Sequence, residues 1–488
     1  MIRTLIIKEM RSYFTSPKFV AVFATCAFLI LLSVFIGIQE YKAAVSNYNT
    51  GTQLAAQDLQ ERNSWMGAGT RVFRAPDPMQ IFVSGISNDI GRLSSINDWE
   101  QVKLRNSTYS DDPIFATFRY LDFSFIVQIV LSLLAIMFTF DAVTGERESG
   151  TLKLIFANSV PRTRFLLAKL AGSWLGLSIP LLMPLLLSIL LLLSYNIPLT
   201  PDHWVRICIL FGLSIVYYTF FIICGVTVSS LTRTSSVAFL ALMVVWVFLV
   251  LIIPRVGVLT AANFVRVPGI AEVDARIEGY TVERWKEHEK IMLEAWRSRN
   301  AAMSGMSKEE RKAYEDDHMW GWMEEDEANR RSIQAEISAY ARKMKEEILN
   351  QREYQQHLAF GISRLSPSSA FRLASMQLAG TGMELKKRYE MAMENYKDLL
   401  NNFIKNKRGE GNDPGGIRIT FDTENGFSFQ TSDLKKTIDI TEMPLFDQPE
   451  TNLAEILPRS VLDFMLIIAS CLLVFSIAWT AFLRYDVR

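Results

Sequence analysis

The sequence predicts a mainly α, integral membrane protein: a six-helix bundle with a large, mostly helical extracytoplasmic domain that contains a small β hairpin. Three observations predict it. Hydrophobic residues make up 50% of the 488-residue chain and are gathered into blocks rather than spread evenly. Six of these blocks are long enough to span a bilayer, since about 20 apolar residues at 1.5 Å each cross a hydrocarbon core of roughly 30 Å. Basic residues gather in alternate short loops, as they do on the cytoplasmic side of multispan proteins.

Residues 1–18 form a short cytoplasmic amphipathic helix. Leu5, Ile6, Met10, Tyr13 and Phe14 are set against Arg3, Lys8 and Arg11, a pattern that suits either a helix lying in the interface or a plain basic flank. Pro17 turns the chain into the first span, Phe19–Ile38. No small-residue cleavage site follows promptly, so this run reads as a retained span rather than a signal peptide. Residues 39–120 are a first extracytoplasmic insert. In it the prolines of Arg74-Ala-Pro-Asp-Pro78 hold their predecessors extended, and the sequon at Asn106 is too short a match to carry weight.

Residues 121–254 hold four spans, Phe123–Phe140, Leu170–Leu193, Val205–Val228 and Val237–Ile253, with a polar loop at 141–169 between the first two. The loop carries Arg147, Lys153, Arg162, Arg164 and Lys169, whereas Tyr195–Trp204 has no Lys or Arg. Together with Arg233, Arg484 and Arg488, this places both termini and the 141–169 loop in the cytoplasm and both inserts outside.

The second insert, 255–459, has its own grammar. From Val282 to Leu358 it is charged and proline-free, with Ile333, Ile337, Tyr340, Met344 and Ile348 at helical spacing, which predicts long amphipathic helices. Ser366-Pro367 reads as the cap and first turn of another helix, ended by the glycines of Leu378-Ala-Gly-Thr-Gly382. A further helix covers Met383–Lys407 and a linker Arg408–Gly416. Ile417–Phe421 then alternates like a strand, with a hairpin signal at Asn425-Gly426 before Phe427-Ser-Phe429. Residues 460–488 supply the sixth span, Val461–Phe482, and a cytoplasmic tail.

The chemistry is defined as much by what is missing. There is no GxxxxGK[ST] loop and no GxGxxG after a strand, so nucleotide hydrolysis belongs to another chain. His203, His288, His318 and His357 are too scattered for a zinc site. The Met303, Met306, His318, Met319 and Met323 group suits helix packing better than a soft metal. The four cysteines, Cys26, Cys208, Cys224 and Cys471, all fall within spans and read as small buried apolar residues. Nothing points to nucleic acid as a partner. No charged residue lies in the middle of a span, which argues against an ion-coupled transporter and for energy supplied from outside the bundle.

The candidate site is therefore the loop. Gly145 and Gly150 bracket Glu146, Arg147 and Glu148, which can be presented to a soluble partner. Thr151 can cap a second short helix through Leu152, Leu154, Ile155 and Phe156, and Pro161-Arg162-Thr-Arg164 re-enters the membrane with positive charge.

At Arg147, Glu148, Gly150, Thr151, Leu152 and Leu154, then Val160, Arg162, Lys169 and Leu170, the chain resembles ABC exporter permeases of the type-2 class. It departs from them at Asn158-Ser159, where Ser/Thr-Pro is usual, and at Ala168, where Gly is common. Ala75-Pro-Asp-Pro78 with Gly85, Leu121-Asp122-Phe123, Ser366-Pro367 and Leu378-Ala-Gly-Thr381 extend the likeness toward the branch associated with multicopper-enzyme maturation. The resemblance implies a six-span permease subunit of the bacterial cytoplasmic membrane that pairs with itself or a second permease. ATP and its Mg would be held by separate ATP-binding cassette subunits, and coupling to them would run through Glu146, Arg147, Glu148, Gly150, Thr151, Leu152 and Arg162. The alternatives are a mechanotransmitter acting on an envelope partner without cargo crossing the bilayer, and a membrane-anchored scaffold without ATPase.

Overall fold

The computed structural model describes residues 2–65, 69–97, 102, 104, 122–158, 160–409, 417–422, 426–431, 437–449 and 451–483. Asn106, Leu121, Ser159, most of the 408–416 linker, Asn425, Arg484 and Arg488 lie outside the described residues. The described chain is dominated by helices. Among the described residues six of them are long and apolar enough to cross a membrane: Pro17–Gln60, Phe123–Glu148, Arg162–Ser194, Pro201–Leu231, Ser235–Phe264 and Leu453–Leu483.

Helix α1 (Ile2–Phe14) breaks at Ser16, and Pro17 opens α2 (Pro17–Gln60), where its fixed φ and missing N–H cost nothing. At 44 residues α2 is about 66 Å long, so it continues well beyond the span that starts it. Helix formers such as Ala43, Ala44, Leu54 and Ala55 carry it on. Gly51 within this extension leaves room for the Phe73 ring, whose atoms lie 2.6 Å from where a Cβ would be. Strands β1 (Thr70–Phe73) and β2 (Leu93–Ile96) pair antiparallel, Thr70 opposite Ile96 and Phe73 opposite Leu93. Asp77 between them caps the turn Pro78–Ile81 through the Met79 N–H.

The second span is not a plain helix. Asp122 caps α3 (Phe123–Phe125), a π turn covers Ile126–Leu131, and α4 (Ser132–Thr139) completes the crossing. Then come α5 (Thr144–Glu148), α6 (Thr151–Ala157), α7 (Arg162–Ser194), which holds Pro180 and Pro184, and α8 (Pro201–Leu231), which opens on a Thr200/His203 capping box. The fifth span repeats the design of the second, with α9 (Ser235–Trp246), a π turn at Val247–Ile252 and α10 (Ile253–Phe264).

Beyond α10 lie α11 (Ile270–Ala302), α12 (Lys308–Ser363), α13 (Pro367–Leu378), α14 (Glu384–Gly409), the hairpin of β3 (Ile417–Asp422) with β4 (Gly426–Thr431), and α15 (Leu453–Leu483). The hairpin register sets Ile417 opposite Thr431 and Asp422 opposite Gly426.

The chain divides into two compact units, one of residues 1–254 with 363–488 and the other of residues 255–362. The 255–459 stretch, which the sequence presents as one insert, is thus shared between them. In the smaller unit α11 and α12 run side by side. They are joined by the stacked rings of Tyr280 and Tyr340 at 4.1 Å and an Arg284–Glu336 ion pair at 2.5 Å, and Arg299 lies over Trp322.

In the larger unit α13 is the surprise. It carries Ser368, Ser369, Arg372 and Ser375 behind the Ser366 cap, yet every residue from Pro367 to Met376 is buried against α8, α15 and the π turns. Most of its polar side chains find specific partners, while Ser369 Oγ is buried without one. Gln128, inside the first π turn, donates to Ser368 at 2.6 Å, and Ser366 donates to the Leu249 carbonyl in the second. A π turn leaves backbone carbonyls out of the regular helical ladder, and here they receive side chains from a neighbouring element. Arg372 closes on Asp122 at 2.9 Å, with both side chains at most 5% exposed. The Phe371 ring stacks on Tyr217 at 4.5 Å.

Candidate functional site

The polar loop after the second span folds as two short helices over an apolar plug. Val143, Leu152, Phe165, Leu166, Val226 and Phe482 are buried together beneath it, and the Phe165 and Phe482 rings stack at 5.6 Å. Leu152 is the loop's anchor, at 2% exposed. Gly150 makes the corner between α5 and α6 with φ at +76°, a left-handed conformation that side chains resist.

Glu146 is turned inward. Its Oε1 accepts from Lys8 of α1 at 2.8 Å and from Lys169 of α7 at 3.1 Å. Its Oε2 accepts from the Thr151 hydroxyl, which also reaches the Glu146 carbonyl at 3.1 Å. Lys169 has a second carboxylate, Glu9 of α1, at 2.7 Å. Two carboxylates and two ammonium groups therefore neutralise one another where α1, α5 and α7 meet. Lys169 is 6% exposed, whereas Lys8, at 52%, keeps one edge of the cluster in solvent.

Helix α1 can lie this close because α7 presents glycines to it. A Cβ at Gly172 would come within 2.6 Å of Glu9 Cβ, and one at Gly176 within 2.8 Å of the Tyr13 ring. The Tyr13 hydroxyl donates to the Phe138 carbonyl at 3.0 Å and sits 2.8 Å from Ser173 Oγ, so α1 is tied to the second and third spans together.

Glu148 faces the other way. Its two oxygens accept from the backbone N–H and the hydroxyl of Ser235 at 2.7 and 2.9 Å, at the start of α9, where a helix favours negative charge. Ser235 also donates to Thr144 Oγ1 at 3.0 Å, and Ser229 Oγ accepts from the Val143 and Thr144 N–H groups at 3.0 and 3.1 Å. The loop is therefore gripped by α1 and α7 on one side and by α8 and α9 on the other.

Of the residues singled out in the sequence, Glu146 and Thr151 come together, Gly150 sets their corner, and Leu152 packs separately in the apolar plug. Arg147 lies half-buried on the same turn as its neighbours. Arg162 stands apart and donates to the Leu483 carbonyl at 2.7 Å, binding the start of α7 to the end of α15. The face left to solvent is Glu148, Ser149, Gly150, Lys153, Leu154, Ala157 and Asn158. Leu154 is 66% exposed, an apolar side chain on an otherwise polar surface. Sequence reasoning did not reach Lys8 and Lys169 as partners of Glu146, nor Glu9 as the second partner of Lys169, nor Ser229 and Ser235. Two signals were available: an acid within a basic helix, and the Gly172-x-x-x-Gly176 spacing that lets two helices touch.

The family model described as "ABC-2 family transporter protein" matches residues 3–487, nearly the whole chain. No curated protein matches.

Proposed function

The chain belongs to the ABC-2 transporter family and is a permease subunit of an ABC transporter; from that premise we propose that its loop at 141–169 receives ATP-binding cassette subunits and passes their motion into the bundle. In this reading the protein sits in a bacterial cytoplasmic membrane with both termini inside, and it works as a pair with itself or with a second permease. ATP and Mg are held by the partner subunits, and ATP hydrolysis there drives export. The place in the branch tied to multicopper-enzyme maturation rests on sequence likeness alone.

The observation that carries this reading is the Glu146 cluster. A force on the exposed face of α5 and α6 moves a carboxylate that α1 and α7 hold through Lys8, Lys169 and, by way of Lys169, Glu9. The exposed face, with Leu154 beside Glu148 and Lys153, is the surface the cassette would contact, while Glu146 acts behind it as a positioning residue.

The test is to express the chain with its partners, purify from the membrane and identify what is retained. We expect an ATP-binding subunit to co-purify. Glu148→Lys combined with Leu154→Asp should release it, whereas Glu146→Gln should retain it and lower permease-stimulated ATPase activity severalfold. Retention of the ATPase at full stimulation by both variants would falsify the reading.

A second reading has its own support. The unit of residues 255–362 is a compact helical body in its own right. A mechanotransmitter would use it to act on an envelope partner. Deleting 270–355 then abolishes output in the cell, whereas an exporter keeps part of its transport.

A further inference from the structure

The insert before the second span buries an arginine that makes no ion pair among the described residues. Arg74, at the start of Arg74-Ala-Pro-Asp-Pro78, is 3% exposed. Its Nη1 donates to Ser87 Oγ at 3.1 Å and its Nη2 to the Ser87 carbonyl at 2.5 Å, while its Nε is buried without an acceptor. Arg92 lies across the β1–β2 ladder, where its carbonyl accepts the Arg74 N–H at 2.8 Å. The Arg92 Nη2 donates to Gln80 Oε1 at 3.3 Å and Asn88 Oδ1 at 2.8 Å, and its Nη1 is buried and unmatched.

Gln80 belongs to the same group. Its Oε1 also accepts from Ser87 Oγ at 3.1 Å, so two donors fix the orientation of its amide, and Nε2 is left as a third unmatched donor. The fourth is Arg388 Nε, next in sequence to Tyr389, whose ring lies 5.8 Å below the Arg74 guanidinium.

None of these three guanidiniums is ion-paired among the described residues. Three acids lie near without reaching ion-pair distance: Glu40 beside Arg92, Glu455 beside Arg388, and Asp77, which is spent on the Met79 N–H at 2.8 Å and lies 3.7 Å from His203. Burial, with Arg92 alongside, pushes the Arg74 guanidinium down to about 9, and burial lowers Arg92 and Arg388 as well. A buried cation without a counter-charge is costly, and so is each unmatched N–H; one bound anion relieves both.

We propose that Arg74, Arg92, Arg388 and Gln80 form a site for a phosphate group, carried by a lipid headgroup or free in solution. Donors from four side chains suit a tetrahedral oxyanion better than a flat carboxylate with two oxygens, and guanidinium groups match phosphate oxygens in geometry as well as charge. The site goes beyond the loop described above and shares no residue with it.

The experiment is a titration of the purified full-length protein with inorganic phosphate and, separately, with a short-chain phosphatidic acid, against chloride at matched ionic strength. Saturable binding of both supports a site for free phosphate. Binding of the lipid alone supports a headgroup site. Binding of neither beyond chloride overturns the proposal.

Arg92→Gln and Arg388→Gln, at half-buried positions, should each weaken binding about tenfold, the loss of one charged hydrogen bond. Wild-type affinity in both would overturn the proposal. Arg74→Met should abolish binding and, because it removes a buried unpaired charge, raise the apparent Tm in phosphate-free buffer. If that variant does not fold, the two glutamine variants decide alone.

Discussion

Two clusters of opposite charge link segments far apart in this chain, and they are built differently. The Arg372–Asp122 pair is closed. Asp122 also accepts from the Ser84 N–H and hydroxyl at 3.0 and 3.1 Å, from Ser124 Oγ at 2.8 Å and from the Phe125 N–H at 2.8 Å. Its oxygens are saturated and out of water, so the pair has a single arrangement. The Glu146 cluster is open by comparison. Lys169 chooses between two carboxylates, Glu146 between two lysines, and Lys8 remains half in solvent. Charges with alternative partners can exchange them at low cost, whereas a saturated buried pair cannot. The difference teaches where the molecule is built to be fixed and where it is built to give: α13 is anchored to the second span, and the loop is held by contacts that can be re-dealt.

The largest expected effect comes from breaking the fixed cluster. Arg372→Leu leaves the Asp122 carboxylate buried without its counter-charge, at a cost of about 3–5 kcal/mol. Asp122→Asn with Arg372→Leu removes both charges and should recover part of the loss. Thermal unfolding in detergent checks the order: the single variant least stable, the double variant between it and the wild type. A single variant as stable as the wild type would show that α13 is held by its serines and Phe371 alone.

A smaller effect sharpens the other half of the comparison. Gly172→Leu puts side-chain carbon where Glu9 Cβ already lies, so α1 must move away from α7. Overpacking of this kind costs about 1–3 kcal/mol. More tellingly, it should separate Glu9 from Lys169 and expose the N-terminal helix to proteolysis. Protection of residues 2–14 equal to wild type would mean that the glycine groove does not hold α1.

Much of this was legible in the sequence and some was not, for physical reasons. The spans were, because an apolar run of sufficient length has few other uses in a folded chain. The two short helices of the loop were too, because its glycines and charges carry local signals. Thr151, however, is not the cap the sequence suggests: Gly150 holds that position and the Thr151 hydroxyl turns back to Glu146. Helix α13 was not. Its serines look soluble by composition, and only their partners, Gln128 and Leu249 in two distant π turns, make them fit for burial. The π turns themselves leave no compositional mark in Ile126–Leu131 or Val247–Ile252, which read as ordinary apolar helix. Likewise the triplet Glu146-Arg147-Glu148 gave its location but not its orientation. Whether a carboxylate faces a partner or a lysine of its own chain depends on Lys8 and Lys169, which lie 138 and 23 residues from Glu146, beyond the reach of local periodicity.

The finest test of the comparison lies within one short helix. Leu152 and Leu154 are two residues apart on α6, so they point to different sides of it. Leu152 fills the plug under the loop and is 2% exposed, while Leu154 is 66% exposed. Leu152→Ala should therefore destabilise by about 2–5 kcal/mol, as large-to-small core changes do. Leu154→Ala should shift stability by no more than about 0.5 kcal/mol, the range of surface substitutions. If the open side of the loop receives an ATP-binding subunit, the order reverses in a binding measurement made on folded protein. Leu154→Ala then weakens retention of the partner, because an exposed leucine on a polar face gains most when another protein covers it. A Leu154→Ala chain that unfolds like the wild type and holds its partner equally well would remove α6 from the contact surface, leaving Glu148 and Lys153 to carry it.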